Sequence, residues 1–199
     1  MNDSMNDQER WDKRYLEGAY SERLHPSAWL VAWQEKQRPP TGLQAADIAC
    51  GRGRNAIYLA AQGYSVDGYD VSGEGLRLAA ETAGDADIRW QQRDLIADGL
   101  PPECQYDLII VFRFLCLDLI RAAHRHLRPG GFLLAETHLQ IAQAPESLGG
   151  PKSQRFRVAS GALRDNASEL QIVEYDEGLV EDPDGSTMAL ARLIGRHSG

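Results

Sequence analysis

At 199 residues, 43% of them hydrophobic, the chain is long enough for one well-buried α/β domain, 1–199, and short for two. The formal net charge of −8 disfavours a standing nucleic-acid footprint, which wants a basic face. No apolar stretch nears the roughly 18 residues of a membrane span and no signal-peptide pattern opens the chain, so a soluble cytoplasmic protein without a membrane partner is expected. Cys50, Cys104 and Cys116 are scattered and lack a Cys-x-x-Cys pair. They suggest neither a disulfide framework nor a metal site, and each reads as a small core residue.

Ser4 and Asp7 read as a capping pair for a first helix that puts Trp11 and Tyr15 on one face at i, i+4. Pro26 suits the first turn of a second helix, in which Trp29 and Trp33 pair before Pro39-Pro40 stops it. Next comes the stretch Asp47-Ile-Ala-Cys-Gly-Arg-Gly-Arg-Asn55. Ala45 to Cys50 reads as a buried strand, Gly51-Arg52-Gly53 as a tight turn, and Ala56 to Gln62 as a helix ended by Gly63. Strand, glycine turn and helix N-terminus together aim backbone N–H groups at a ligand. Two residues without Cβ let the backbone turn with φ > 0 and a ligand lie against it. The spacing Gly51-x-Gly53-x-x-Ala56 satisfies the loose dinucleotide fingerprint, and Ser65 to Asp70 reads as a second strand. A carboxylate at its end, Asp70, can accept two hydrogen bonds from a ribose diol.

At this point the residues resemble a known family. The acid-x-x-Cys-Gly-x-Gly turn with its leading Asp47 looks like motif I of class I S-adenosylmethionine-dependent methyltransferases. The run Trp11-Asp-Lys-Arg-Tyr15 resembles the amino-terminal Trp-x-x-Arg-Tyr segment of small-molecule methyltransferases of the tellurite-resistance and thiopurine type, where it folds over the cofactor.

Ser72 is a natural N-cap for a helix with the stripe Leu76, Ala79, Ala80 and Ala83, closed by Gly84. Asp87 to Gln92 supplies a third strand, followed by Asp94-Leu95. Asp94 either caps the short segment before Pro101-Pro102 or, as the resemblance implies, bonds the adenine amine. Tyr106 to Phe112 reads as a central strand buried on both faces. The following helix buries Leu119, Ile120, Ala123 and Leu127, with Arg125, His126 and Arg128 at its C-terminal end. Arg128-Pro129-Gly130-Gly131 reads as a turn into a fifth strand, Phe132 to Glu136, and Leu-x-Pro-Gly-Gly before an apolar strand again looks like this family. From Thr137 to Ser168 the pattern weakens around Pro145, Gly149, Gly150 and Pro151, and a long irregular stretch in a compact domain is usually functional or disordered. Leu170 to Tyr175 and Thr187 to Ile194 alternate as strands, joined by a hairpin turn at Asp182-Pro-Asp-Gly185.

The resemblance implies an α/β, Rossmann-like three-layer sandwich: a seven-stranded, mostly parallel sheet with a C-terminal antiparallel hairpin. It divides the chain into a helical cap at 1–40, a cofactor-binding βα core at 41–136, a variable substrate-side segment at 137–169 and the hairpin at 170–199. The implied cofactor is S-adenosylmethionine, and the implied contacts are Trp11, Tyr15, Asp47, Ala49, Cys50, Gly51, Gly53, Asn55, Asp70, Val71, Asp94, Leu95 and Phe112. In an open α/β sheet ligands lie outside the carboxyl ends of the strands, so Gly51, Asp70, Asp94, Phe112 and Glu136 are expected around one crevice. Arg113 and His138 are the catalytic candidates, Arg113 holding an anionic acceptor by bidentate bonds and His138 acting as a base near neutral pH. Their structural alternatives are a surface ion pair and a satisfied loop histidine. The partner is a small-molecule acceptor, and the chain is a monomer or homodimer.

Walker A, His-Glu-x-x-His and Gly-x-Ser-x-Gly patterns do not occur. Two rival functions stay open: a nicotinamide-dependent oxidoreductase, whose fingerprint tolerates Gly51, Gly53 and Ala56, and a non-catalytic S-adenosylmethionine-binding or partner module. Against the first, no Tyr-x-x-x-Lys pair exists.

Overall fold

The computed structural model describes residues 6–37, 41–142, 147–182 and 184–199. The expectations at Ser4, Pro39-Pro40, Pro145 and Pro183 fall outside them. The strands are β1 Gln44–Ile48, β2 Ser65–Asp70, β3 Ile88–Gln92, β4 Tyr106–Phe112, β5 Leu127–His138, β6 Gln171–Glu181 and β7 Thr187–Arg196. The helices are α1 Asp7–Leu16, α2 Ala28–Gln37, α3 Arg54–Ala61, α4 Gly73–Ala83, α5 Leu95–Asp98, α6 Leu117–Ala122 and α7 Ala162–Asp165. Strand order is β3-β2-β1-β4-β5-β7-β6. The β1–β2, β2–β3 and β4–β5 pairs are parallel, and β5–β7 and β7–β6 antiparallel. This is the expected α/β sheet with its C-terminal antiparallel hairpin. No described helix is long and apolar enough to cross a membrane.

The chain divides into two compact units, Met1–Cys104 and Gln105–Gly199. In the first, α1 starts at a capping box two residues later than Ser4 would have set it. Asn6 Oδ1 accepts from the Glu9 amide at 2.8 Å while Glu9 reaches back to the Asn6 amide, satisfying two orphan donors at once. Pro26 is not in the first turn of α2, which begins at Ala28; the Ser27 amide just before it is taken by the Asn55 side chain at 2.9 Å. Strand β1 ends at Ile48 rather than Cys50 because Ala49 turns to φ +54°, out of the extended region. The hydrogen bond from the Gly53 amide to the Cys50 carbonyl, 2.9 Å, closes the glycine turn, with Gly51 at φ +57° and Gly53 at +74°. On α4 the buried stripe is Gly75, Leu76 and Ala79; Ala80 is exposed.

In the second unit β4 is buried almost throughout. Helix α6 is shorter than expected and ends at Ala122, followed by a 3-10 turn over Ala123–His126. Leu127 is a strand residue, not a helical one, because it pairs with Tyr106. Arg128 to Gly131 is a bulge inside β5 rather than a turn before it: the register jumps from Tyr106↔Leu127 to Leu108↔Phe132. A Cβ at Gly131 would stand 2.9 Å from the Arg128 carbonyl and 3.1 Å from that of Asp107, so the bulge admits only glycine there. The β6–β7 hairpin closes through Asp182 N to Ser186 O, 2.9 Å, with Gly185 at φ +78°. All three cysteines are half-buried rather than core residues.

Ala49 holds a left-handed conformation that a Cβ disfavours. Ala49→Gly is expected to raise stability by about 1 kcal/mol, net of the extra freedom glycine gains in the unfolded chain. Urea denaturation at neutral pH reads this directly, and a loss of stability would show that Ala49 is not strained.

Candidate functional site

The first unit holds two buried carboxylates in backbone hydrogen bonds. Asp47, in β1, accepts from the Ala56 amide at 3.1 Å and so fastens the first turn of α3 to the strand before it. Asp70, at the end of β2, accepts from the Gly51 amide on Oδ2 at 2.8 Å and from the Ser72 amide on Oδ1 at 2.9 Å. The Val71 amide bears on the same carboxylate, so backbone groups engage three of its roughly four acceptor directions, and the capacity that remains fits a ribose hydroxyl.

Burial pushes both carboxyl groups up. For Asp70 the shift is opposed by the Ser72 and Gly51 amides and helped by the nearby Asp12 charge. For Asp47 burial outweighs the Arg54 charge and the Ala56 amide, and its pKa rises to about 7. The Cys50 thiol is raised by burial and then by Asp47 and Asp70, so it is held protonated and is a poor nucleophile.

The two glycines of the turn are required by protein packing as well as by their positive φ. A Cβ on Gly51 would lie 2.5 Å from the Tyr15 hydroxyl, and one on Gly75 would lie 2.9 Å from the Tyr15 ring. A Cβ on Gly53 or on Gly68 would run into the Trp90 indole. The expectation that a ligand lies against these glycines thus needs revising on their Cβ side, where Tyr15 and Trp90 already sit. Tyr15 is buried, and burial raises its hydroxyl pKa with help from Asp70. Its ring centroid is 5.9 Å from that of Trp11, and the Arg14 guanidinium lies over the Trp11 ring at 4.6 Å. Helix α1 therefore sets the Tyr15 ring against the glycine turn, with Trp11 beside Tyr15.

Other predicted contacts in this unit have structural partners. Asp94 Oδ1 caps α5 through the Ile96 and Ala97 amides at 3.0 and 3.1 Å, the alternative its sequence context offered. Leu95 is buried behind it. Asn55 is the buried partner of the Ser27 amide, and the Val71 carbonyl accepts from Gln92 at 3.2 Å. Trp90 was not singled out from sequence, though the period-2 pattern of β3 puts it on the face opposite Gln91.

In the second unit Phe112 closes β4, and Arg113 follows at φ +61°. Arg113 is neither a surface pair nor a free bidentate clamp. Its Nε meets Glu136 at 2.6 Å and its Nη2 meets Asp182 at 2.8 Å, with only 14% of the side chain exposed. Glu136 is fully buried and its second oxygen meets Arg192 at 2.7 Å. Two guanidinium groups flank one carboxylate, an arrangement in which removing either sign leaves a buried charge unpaired. Arg113 Nη1 is buried without a hydrogen-bond partner among the described residues. His138 is not a loop residue but the last residue of β5, buried, with its ring filling the space a Cβ on Gly150 would need. Arg157, also missed from sequence, donates to the carbonyls of Leu139, Gly149 and Pro151 and so ties them together.

The family model described as "Methyltransferase domain" matches residues 45–131, the stretch from β1 into β5. The chain is similar to a probable S-adenosyl-L-methionine-dependent methyltransferase, TehB, of Haemophilus influenzae, 25% identical over 68% of this chain and 48% of the relative. It is similar at 25% identity to the ubiquinone biosynthesis O-methyltransferase of Paracidovorax citrulli, over 67% of this chain and 58% of the relative. The crystal structure of TehB from Haemophilus influenzae shares the fold, with TM-score 0.72 and 21% identity over 94% of this chain and 66% of that one. The chain spans about half the length of the curated relatives it matches.

Asp47 makes stability depend on pH with a definite sign. Its folded pKa, about 7, lies above the unfolded value of 3.8, so the folded state holds the proton more tightly. Stability from this group is present at low pH and is lost as pH rises towards 7, with a slope of at most about 1.4 kcal/mol per pH unit. Asp47→Asn keeps an acceptor for Ala56 and removes the titration. The wild-type minus variant stability, from urea unfolding at intervals from pH 5 to pH 8, is expected to fall with pH. A flat difference would place Asp47's folded pKa near its unfolded one.

Proposed function

We propose that this chain is a class I S-adenosylmethionine-dependent methyltransferase acting on a small-molecule acceptor. The observation that carries the proposal is the bonding of Asp70: a buried carboxylate tied to the glycine turn and to the N-terminus of α4, with acceptor capacity left for a ribose hydroxyl. The family match over residues 45–131 and the likeness to relatives named as methyltransferases support it.

When bound, S-adenosylmethionine supplies an already activated methyl carbon, so the protein's share is positioning and exclusion of water rather than a catalytic triad. In this reading Asp70 holds a ribose hydroxyl. The backbone from Ala49 through Cys50 to Gly53, braced by Asp47 and Asn55, lies beneath the methionine portion, and Trp11 and Tyr15 of α1 shield it. Val71, Asp94 and Leu95 serve the adenine end, and Phe112 the methyl side.

Arg113 and His138 are assigned to the acceptor. The ion pairs of Arg113 leave Nη1 to make a single hydrogen bond to the acceptor, in place of a bidentate clamp. His138 serves as the base where the acceptor atom carries a proton. A single domain spanning 1–199, a monomeric or homodimeric state, a cytoplasmic location and the absence of a nucleic-acid partner belong to the same proposal.

Asp70→Ala tests it. Loss of hydrogen bonds to a charged group is worth about 1.5 to 3 kcal/mol, so the Kd for S-adenosylhomocysteine by titration calorimetry is expected to rise roughly 10- to 150-fold. An unchanged Kd in a folded variant would refute the ribose assignment.

A further inference from the structure

Asp12 sits on α1 between the two aromatic residues of the cover, yet it faces neither of them in its bonding. Its Oδ1 accepts from the Ser72 hydroxyl at 2.5 Å and from the Glu74 amide at 3.1 Å. Ser72 is fully buried and joins three groups. Its hydroxyl proton goes to Asp12, its Oγ accepts from the Gly75 amide at 3.0 Å as the N-cap of α4, and its own amide donates to Asp70 Oδ1 at 2.9 Å. Asp70 Oδ2 then takes the Gly51 amide. A continuous path of hydrogen bonds thus runs from α1 through Ser72 and Asp70 to the glycine turn, linking residues 60 positions apart in the chain.

We propose that Asp12 is a positioning residue for the cofactor site: by fixing the Ser72 hydroxyl it orients the Asp70 carboxylate and docks the Tyr15 face of α1 in one step. This rests on the reading of Asp70 as the ribose carboxylate. A serine hydroxyl has one proton and rotates to suit its partners. With Asp12 in place that proton has a single charged acceptor, which leaves the oxygen to accept from the Gly75 amide and sets the cap geometry. The Tyr15 ring, held between Gly51 and Gly75 by packing, has its polar anchor one helical turn away at Asp12. A negative charge at the N-terminus of α4 is also where the helix dipole favours it. Asp12 is felt electrostatically at Asp70, whose carboxyl it helps to push up.

A double-mutant cycle on the full chain, read as the Kd of S-adenosylhomocysteine by titration calorimetry, separates positioning from mere anchoring. Asp12→Ala is expected to weaken binding about 10-fold. Asp12→Asn keeps a carbonyl oxygen for both donors and is expected to stay near the wild-type Kd. In an Asp70→Ala background the Asp12→Ala change is expected to cost clearly less than its 10-fold loss in the wild type, because the carboxylate it orients is gone and only the docking of α1 is left to lose. Ser72→Gly, which retains a tolerated N-cap residue but no hydroxyl, is expected to weaken binding as Asp12→Ala does, and it carries the test where Asp12→Ala fails to fold. Wild-type affinity in Asp12→Ala or Ser72→Gly, or a full additive loss in the double variant, would overturn the role of Asp12. No binding by the wild type would overturn the cofactor reading beneath it.

Discussion

The first unit depends on one interaction, the pair of backbone N–H bonds that Gly51 and Ser72 donate to the Asp70 carboxylate. Those two amides belong to different turns, one leaving β1 and one leaving β2, and a single side chain holds both. Charge-assisted bonds of this kind are stronger than neutral ones. In a buried setting they also fix geometry, because a carboxylate that loses either partner leaves a costly unpaired charge. The glycine turn, the start of α4 and the docking of α1 over both are arranged around this carboxylate. Asp47 does the same work one strand over, tying α3 to β1, and the domain keeps two buried acids within electrostatic reach of each other.

The second unit has its own charged centre in Glu136, with Arg113 and Arg192 on its two oxygens. Arg113 reaches this place from a left-handed backbone, as Ala49 reaches the glycine turn. Strained non-glycine residues persist where their surroundings over-determine them. For Arg113 those surroundings are the Glu136 carbonyl on its amide and the Glu136 and Asp182 carboxylates on its guanidinium. The strain and the ion pairs therefore describe one locked residue.

Features carried by short-range pattern were legible in the sequence. The strand, glycine turn and helix at 45–62, Asp70 at the end of β2, Ser72 as an N-cap and the β6–β7 hairpin all follow from local periodicity and turn chemistry, and the structure has them. Features carried by pairing across the chain were not. Arg128-Pro129-Gly130-Gly131 has the composition of a turn, and only the register of β5 against β4 makes it a bulge. Asp12 carries no local signal because its partner lies 60 residues on. Arg113 was visible as a candidate, but its ion pairs with Glu136 and Asp182 were not, and they change what its guanidinium can offer an acceptor. The glycines were identified for the right backbone reason; the rings of Tyr15 and Trp90 that occupy their open sides come from α1 and β3.

Asp70 is proposed to hold the ribose of S-adenosylmethionine rather than that of a nicotinamide dinucleotide. Thermal unfolding of the protein with S-adenosylhomocysteine or with NAD, each at millimolar concentration, tests it most directly. A ligand at 100 times its Kd adds about 2.7 kcal/mol of stability, so a clear upward shift of Tm with S-adenosylhomocysteine alone is the predicted result. A shift with NAD alone, or with neither ligand, would contradict it.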